Sequence, residues 1–197
     1  MNHVAISRDK TIIAAFNSDG HCVLFRFNHL TGKYAKWRSV FEGGSYGGSI
    51  SCNNALLCGF GSYTAKITVY NLDTDNPNYG SLPRKYKLLF TKASSLYHLP
   101  RFSPTISNLL LYPNENNMGI VLFSADGSSV IGSHRIKMNT PFNGCFSENG
   151  RYFCMRTANT IGILELKEKW WLTSSATKCK MRDFAKRGLL TDCTIEH

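Results

Sequence analysis

One strand-and-turn pattern recurs four times along this chain, at intervals that few folds accommodate. Ser7, Ser51, Ser103 and Ser147 each follow a short apolar segment and precede a polar turn, and they lie 44, 52 and 44 residues apart. A period of about 40 to 50 residues is typical of repeat architectures in which each repeat is one supersecondary unit. The spacing therefore predicts four similar units in a chain of 197 residues.

Each unit has the pattern of a four-stranded antiparallel sheet. In the first repeat, residues 2–7, 11–16, 21–27 and 33–41 have strand character, and Asp19-Gly20 is a hairpin signal. The strands predicted in the other repeats are 49–52, 55–60, 65–72 and 86–92, then 99–103, 108–112, 119–124 and 128–137, then 143–147, 152–156, 160–166 and 170–174. Such units, joined by turns rich in Gly and Asn, are typical of β-propeller blades.

We therefore predict an all-β protein, a β-propeller or partial propeller of about four four-stranded blades. The blades are placed at residues 1–42, 43–95, 96–138 and 139–175, and a tail follows at residues 176–197. The glycine-rich run at residues 43–48 is interpreted as the crossing from the first blade to the second.

The blades resemble those of WD-repeat proteins. Residues 7–27, and residues 146–156 followed by 160–166, are similar to a WD blade. Where that family places Trp-Asp, this chain has Phe25-Arg26, Tyr70-Asn71, Phe123-Ser124 and Leu164-Glu165. The family's Gly-His pair is not recognisable, so these are divergent WD-like blades held by apolar packing. The resemblance implies a non-enzymatic scaffold or adaptor subunit that serves as a protein-interaction platform.

Four blades are fewer than the about seven with which WD propellers usually close. Three alternatives follow: a small closed ring, an open half that pairs with itself or another chain, or part of a larger protein. An open half exposes blade faces and strand edges, which proteins normally cover by association. We therefore expect protein partners, with a homodimer that completes a propeller among them.

The charge and the cysteines limit the partners and the compartment. A net charge of +10 favours acidic partners, so RNA or another nucleic acid is the alternative ligand. The seven cysteines form no C-x-x-C, which favours a reducing compartment. No secretory signal or long apolar stretch occurs. We predict a cytoplasmic protein, with a nuclear location as the alternative and no membrane contact.

Basic and aromatic residues alternate at the start of the predicted outer strands, and the tail carries a short basic pattern. Met181, Phe184 and Ala185 have helical spacing between Thr177 and Gly188, which predicts a short amphipathic helix. Such surfaces suit protein contacts or phosphate binding with base stacking, and also suit an ordinary exposed strand. The candidate partner-binding residues are Trp37, Arg38, Arg84, Lys85, Trp170, Trp171, Phe184 and Arg187.

No catalytic or metal-binding pattern emerges from the sequence. The six histidines form no i, i+4 pair, and no Gly-Lys-Ser/Thr phosphate loop occurs. We therefore predict no enzymatic activity, no metal and no cofactor.

Overall fold

The structure is a computed structural model, and it describes residues 3–17, 21–41, 45–61, 66–73, 84–89, 99–114, 117–137, 141–157, 161–166, 179–183, 189–193 and 195–196. Within these ranges all regular structure is β, and no helix that could cross a membrane is found. The first sheet has the order β1 (His3–Ile6), β2 (Ile12–Phe16), β3 (His21–Asn28), β4 (Lys33–Phe41). The second has the order β5 (Ser45–Ile50), β6 (Leu56–Gly61), β7 (Lys66–Asn71), β8 (Arg84–Leu89).

The second half of the chain repeats this antiparallel plan. The third sheet is β9 (Arg101–Phe102), β10 (Leu109–Asn114), β11 (Asn117–Phe123) and β12 (Val130–Lys137), extended at its outer edge by β18 (Ile195–Glu196). The fourth contains β13 (Pro141–Phe146), β14 (Tyr152–Thr157) and β15 (Ile161–Glu165). A last pair, β16 (Cys179–Asp183) and β17 (Leu189–Cys193), runs beside β15. The first four sheets are the blades, and they confirm the predicted all-β propeller class.

The repeated serine fixes the register at the same point of every blade. The Ser7 amide donates to the Ile12 carbonyl at 2.9 Å, closing a turn between the first and second strands. Ser51, Ser103 and Ser147 make the same bond to Leu56, Leu109 and Tyr152. Those four acceptors are the first residues of β2, β6, β10 and β14, so they are equivalent positions in the four blades.

The core lies between consecutive blades. The residue at the start of each second strand faces the following blade: Ile12, Leu56 and Leu109 belong to the clusters between blades 1 and 2, 2 and 3, and 3 and 4. The next residue points the other way, so Leu57, Leu110 and Phe153 face the preceding blade. Side chains alternate across a strand, and a sheet buried on both faces is therefore apolar at successive positions.

Two sequence expectations about local structure are wrong. The tail forms strands at Cys179–Asp183 and Leu189–Cys193, so no amphipathic helix spans Met181. Residues 179–182 also alternate between uncharged and basic, which is the period of a strand, and pairing with 189–193 supplies the backbone partners of 179–183. The run at residues 43–48 is more than a crossing, because β5 begins at Ser45 and forms the inner strand of blade 2.

Candidate active site at the inner strands

The inner strands β1, β5, β9 and β13 contact one another in that order, one from each blade. His3 opens β1 and Arg101 opens β9, so these two residues enter from the first and third blades. Between them runs β5, which presents Gly47 and Gly48. The arrangement brings together an imidazole and a guanidinium that are 98 residues apart in sequence.

The two glycines provide the space for this pair. A Cβ on Gly47 would lie 2.7 Å from Leu99 Cδ2 and 3.0 Å from His3 Cγ. A Cβ on Gly48 would lie 1.8 Å from the Cys58 carbonyl oxygen, which belongs to the neighbouring strand. Only glycine fits here, because any side chain would displace the imidazole or separate β5 from β6.

Arg101 binds the imidazole through a long and exchangeable contact. Its Nη1 lies 3.4 Å from His3 Nε2 and 3.4 Å from the Gly48 carbonyl oxygen. Since a guanidinium can only donate, Nε2 accepts and the proton of the neutral ring is on Nδ1. Nδ1 is buried and has no hydrogen-bond partner in the described part of the chain. The imidazole therefore keeps an unused donor.

The electrostatics of the pair keep the histidine neutral. Burial, and then the charge of Arg101, lower the pKa of His3 from 6.5 to about 4. Burial also lowers the pKa of Arg101 from its ordinary value, although the guanidinium remains charged. Within the described ranges Arg101 has no carboxylate partner. A largely desolvated cation with only neutral acceptors is suited to binding an anion or an oxyanion from outside.

Cys58 lies beside the pair but is a poor candidate nucleophile. It is fully buried, and burial raises the pKa of its thiol to about 11. Its Sγ lies 3.2 Å from Ser49 Oγ, which accepts a hydrogen bond of 2.8 Å from the Phe102 amide. These contacts connect β5, β6 and β9 and help to position Arg101. The described residues contain no group of three or more candidate metal ligands.

Among the residues predicted to bind partners, the described side chains of Trp37 and Arg38 lie together. Trp37 lies half-buried on β4, with the guanidinium carbons of Arg26 and Arg38 at 4.5 Å and 4.8 Å from its ring centroid. It also packs against the cluster between blades 1 and 2, so it has a structural role.

Arg84 and Lys85 lie on β8, which is described by its backbone alone. Trp170, Trp171, Phe184 and Arg187 lie outside the described residues. A partner-binding role for the eight residues stays a prediction.

Sequence reasoning missed His3 and Arg101 because neither belongs to a local motif. The available signal was positional. His3 lies four residues before Ser7, and Arg101 lies two residues before Ser103, each on the first strand of its blade. Polar residues on the inner strands of a propeller converge on its axis, whatever their separation in sequence.

By sequence, the chain matches no protein-family model and no curated protein. By structure, it is similar to a protein from Bacteroides uniformis named as a 6-phosphogluconolactonase, with a TM-score of 0.65 and 15% identity over 98% of this chain and 56% of that one. The periplasmic gluconolactonase of Pseudomonas aeruginosa gives a TM-score of 0.63 and 12% identity over 96% of this chain and 70% of that one. A β-propeller domain from Myceliophteria thermophila gives a TM-score of 0.62 and 12% identity over 98% of this chain and 72% of that one.

These similarities show the propeller fold. For the first two similar structures, both from Bacteroides and both named as 6-phosphogluconolactonases, the chain spans 56% and 52% of their length. The prediction of a non-enzymatic interaction platform, with RNA binding as its alternative, is wrong, because three of the similar structures carry the names of lactone hydrolases. The sequence argument failed because it searched for contiguous catalytic motifs, whereas the blades supply their polar residues singly.

Proposed function

We propose that this chain belongs to a hydrolase that opens an anionic sugar lactone at the inner strands of the propeller. The observation that carries the proposal is the Arg101–His3 pair: a guanidinium without a carboxylate partner in the described chain, 3.4 Å from an imidazole that burial keeps neutral. The names of the similar propellers support the substrate class.

Arg101 and His3 divide the reaction between them. Because the Arg101 contacts are long, a lactone carbonyl or a phosphate oxygen can replace His3 as the acceptor. His3 Nε2 is then free to take a proton from a water molecule that attacks the lactone carbon. Arg101 stabilises the oxyanion that develops. When the ring C–O bond breaks, Nε2 returns its proton to the ring oxygen, and the product is the open hydroxy acid.

An anionic substrate also makes His3 a stronger base. The positive charge of Arg101 is the second cause of the low His3 pKa, after burial. A phosphate or developing oxyanion beside Arg101 offsets that charge, so the pKa of His3 rises when substrate is bound. An uncharged ester carries no charge beside Arg101 until the oxyanion develops, which favours a phosphorylated or otherwise anionic lactone.

The test is a lactone hydrolysis assay that follows acid release from 6-phosphogluconolactone and from unphosphorylated gluconolactone. We expect His3→Gln to lower kcat by about 100-fold, the usual size of general-base catalysis. Arg101→Gln should lose activity on both lactones, and Arg101→Lys should recover part of it. The matched control is Arg135→Gln, which removes an exposed arginine from the outer strand β12.

The pH profile provides a second readout. Since the pKa of His3 in the substrate-free protein is about 4, kcat/KM should stay level above that pH and fall below it. Hydrolysis no faster than in buffer, or full activity in both His3→Gln and Arg101→Gln, would contradict the proposal.

Two finer points belong to this proposal. WD-repeat ancestry is supported by bulky residues on the third strands, with Tyr70 on β7 and Phe123 at the end of β11. A cytoplasmic location is supported by the free thiols of the described cysteines, including Cys145 and Cys154, which are cross-strand neighbours.

A further inference from the structure

Blade 1 has an apolar face that no blade covers in the described structure. At the position where Leu57, Leu110 and Phe153 contact the preceding blade, blade 1 has Ile13, which is only half-buried. The register places Ile6 opposite Ile13, and Val4 opposite Ala15, on this same face. Val4 is 38% exposed and Ile6 58% exposed. We name this surface the leading face.

Blade 4 has the complementary face, which no described residue range covers in the way that blades 2, 3 and 4 cover the blades before them. Its residue equivalent to Ile12, Leu56 and Leu109 is Tyr152, which is 37% exposed, whereas the other three are at most 2% exposed. Cys154 and Ile161 continue the surface, and Ile161 is 49% exposed. We name this surface the trailing face. Among the described residues, four of the seven exposed large apolar side chains lie on these two faces.

The leading and trailing faces are the two surfaces that meet wherever consecutive blades pack, which occurs three times within the chain. Ile50, the blade 2 counterpart of Ile6, packs against the cluster that contains Ile12, the blade 1 counterpart of Tyr152. The leading face of one molecule is thus the kind of surface that a trailing face contacts. A chain that presents both can form this contact with a second copy of itself, and a two-fold axis forms it twice.

The chain spans only part of each similar propeller. It covers 56% and 52% of two of them and 70–72% of three others. Two copies of four blades make eight, the upper end of the four to eight blades typical of propellers. We infer that two copies of this chain close an eight-bladed ring, each leading face packed on the partner's trailing face. This inference does not rest on the proposed activity. It would place the partner's inner strands opposite His3 and Arg101.

The mass in solution is the first test. Sedimentation velocity of the whole chain should give twice the 22.1 kDa of one copy. A monomer throughout the micromolar range would overturn the inference. Oligomers that grow with concentration would do so too, because an unclosed head-to-tail contact makes open chains.

Charged substitutions test which faces are used. Ile6→Glu and Tyr152→Lys should each weaken the dimer by about tenfold or more, since each places a charge in both contacts. Neither residue is buried in the single chain, so the blades should still fold. Ile131→Glu is the matched control, because Ile131 is 64% exposed on β12, away from both faces. A dimer that tolerates Ile6→Glu and Tyr152→Lys would contradict the assignment.

Mixing the two variants tests the ring itself. A heterodimer of Ile6→Glu with Tyr152→Lys has one contact of wild-type composition and one in which Glu faces Lys. We therefore expect dimer formation to recover on mixing. Ile6→Glu mixed with Tyr152→Glu should recover less, because the altered contact then opposes two like charges. Equal behaviour of the two mixtures would refute the predicted pairing of these faces.

Discussion

Lowering the pH should destabilise the folded chain through His3, by an amount that follows from its surroundings. The imidazole has a pKa of about 4 when folded and 6.5 as its ordinary value. Below pH 6.5 the unfolded chain binds a proton at His3 that the folded chain does not bind. The contribution of neutral His3 to the free energy of unfolding is therefore fully present above pH 6.5 and is lost as the pH falls towards 4.

The size of the effect can be worked from the same two values. A difference between 6.5 and about 4 corresponds to about 3 kcal/mol of unfolding free energy without solvent screening. His3 is only half-buried, so water screens part of this, and we expect about 1–2 kcal/mol. His3→Gln keeps a hydrogen-bond acceptor for Arg101 and removes the titration. The variant should therefore lose less stability on acidification than the wild type, by this amount.

Urea unfolding followed by tryptophan fluorescence at about pH 7, 5.5 and 4 measures the difference. The other titrating groups are common to both proteins, so subtraction isolates His3. His29→Gln, which removes an exposed imidazole, is the matched control variant. Parallel stability curves for wild type and His3→Gln would refute the argument that burial and Arg101 hold this ring neutral.

Three further predictions concern the backbone and the thiols. Lys10 has a φ of 61°, so Lys10→Gly should stabilise the protein by about 0.5–1 kcal/mol in thermal unfolding, whereas Lys10→Ala, with its Cβ, should not. Gly48→Ala should destabilise by about 3 kcal/mol or more in urea, since the Cβ would overlap a backbone carbonyl oxygen of β6. Gly132→Ala, whose Cβ meets nothing within 4 Å, should cost much less. In native iodoacetamide labelling read by mass spectrometry, exposed Cys145 should react and buried Cys58 should react only after unfolding. Modification of Cys58 in the native protein would contradict its burial.

The serine repeat predicted the blades because the bonds that form each turn are local. Ser51 and Leu56 are five residues apart, and the amide of Ser51 donates to the Leu56 carbonyl at 2.8 Å. Strand boundaries followed from such turns and from short apolar runs. The tail prediction failed because three apolar residues at helical spacing cannot outweigh backbone pairing with residues six to fourteen positions away.

The candidate site could not be predicted in the same way. His3 and Arg101 contact each other across the inner strand of the blade between them, and neither has a sequence neighbour that marks it. The Gly47-Gly48 pair was visible in the sequence, but its role depends on which side chains approach it.

By itself, the sequence determined the four blade-like repeats, their turns and the apolar strands, because adjacent residues satisfy these patterns. The tertiary structure decided which face of each blade is covered, and it made Tyr152 exposed where Leu109 is buried. It also placed a guanidinium beside an imidazole 98 residues away and kept that imidazole neutral. The reason is that burial and charge depend on the whole surrounding structure, which blades assemble from distant parts of the chain.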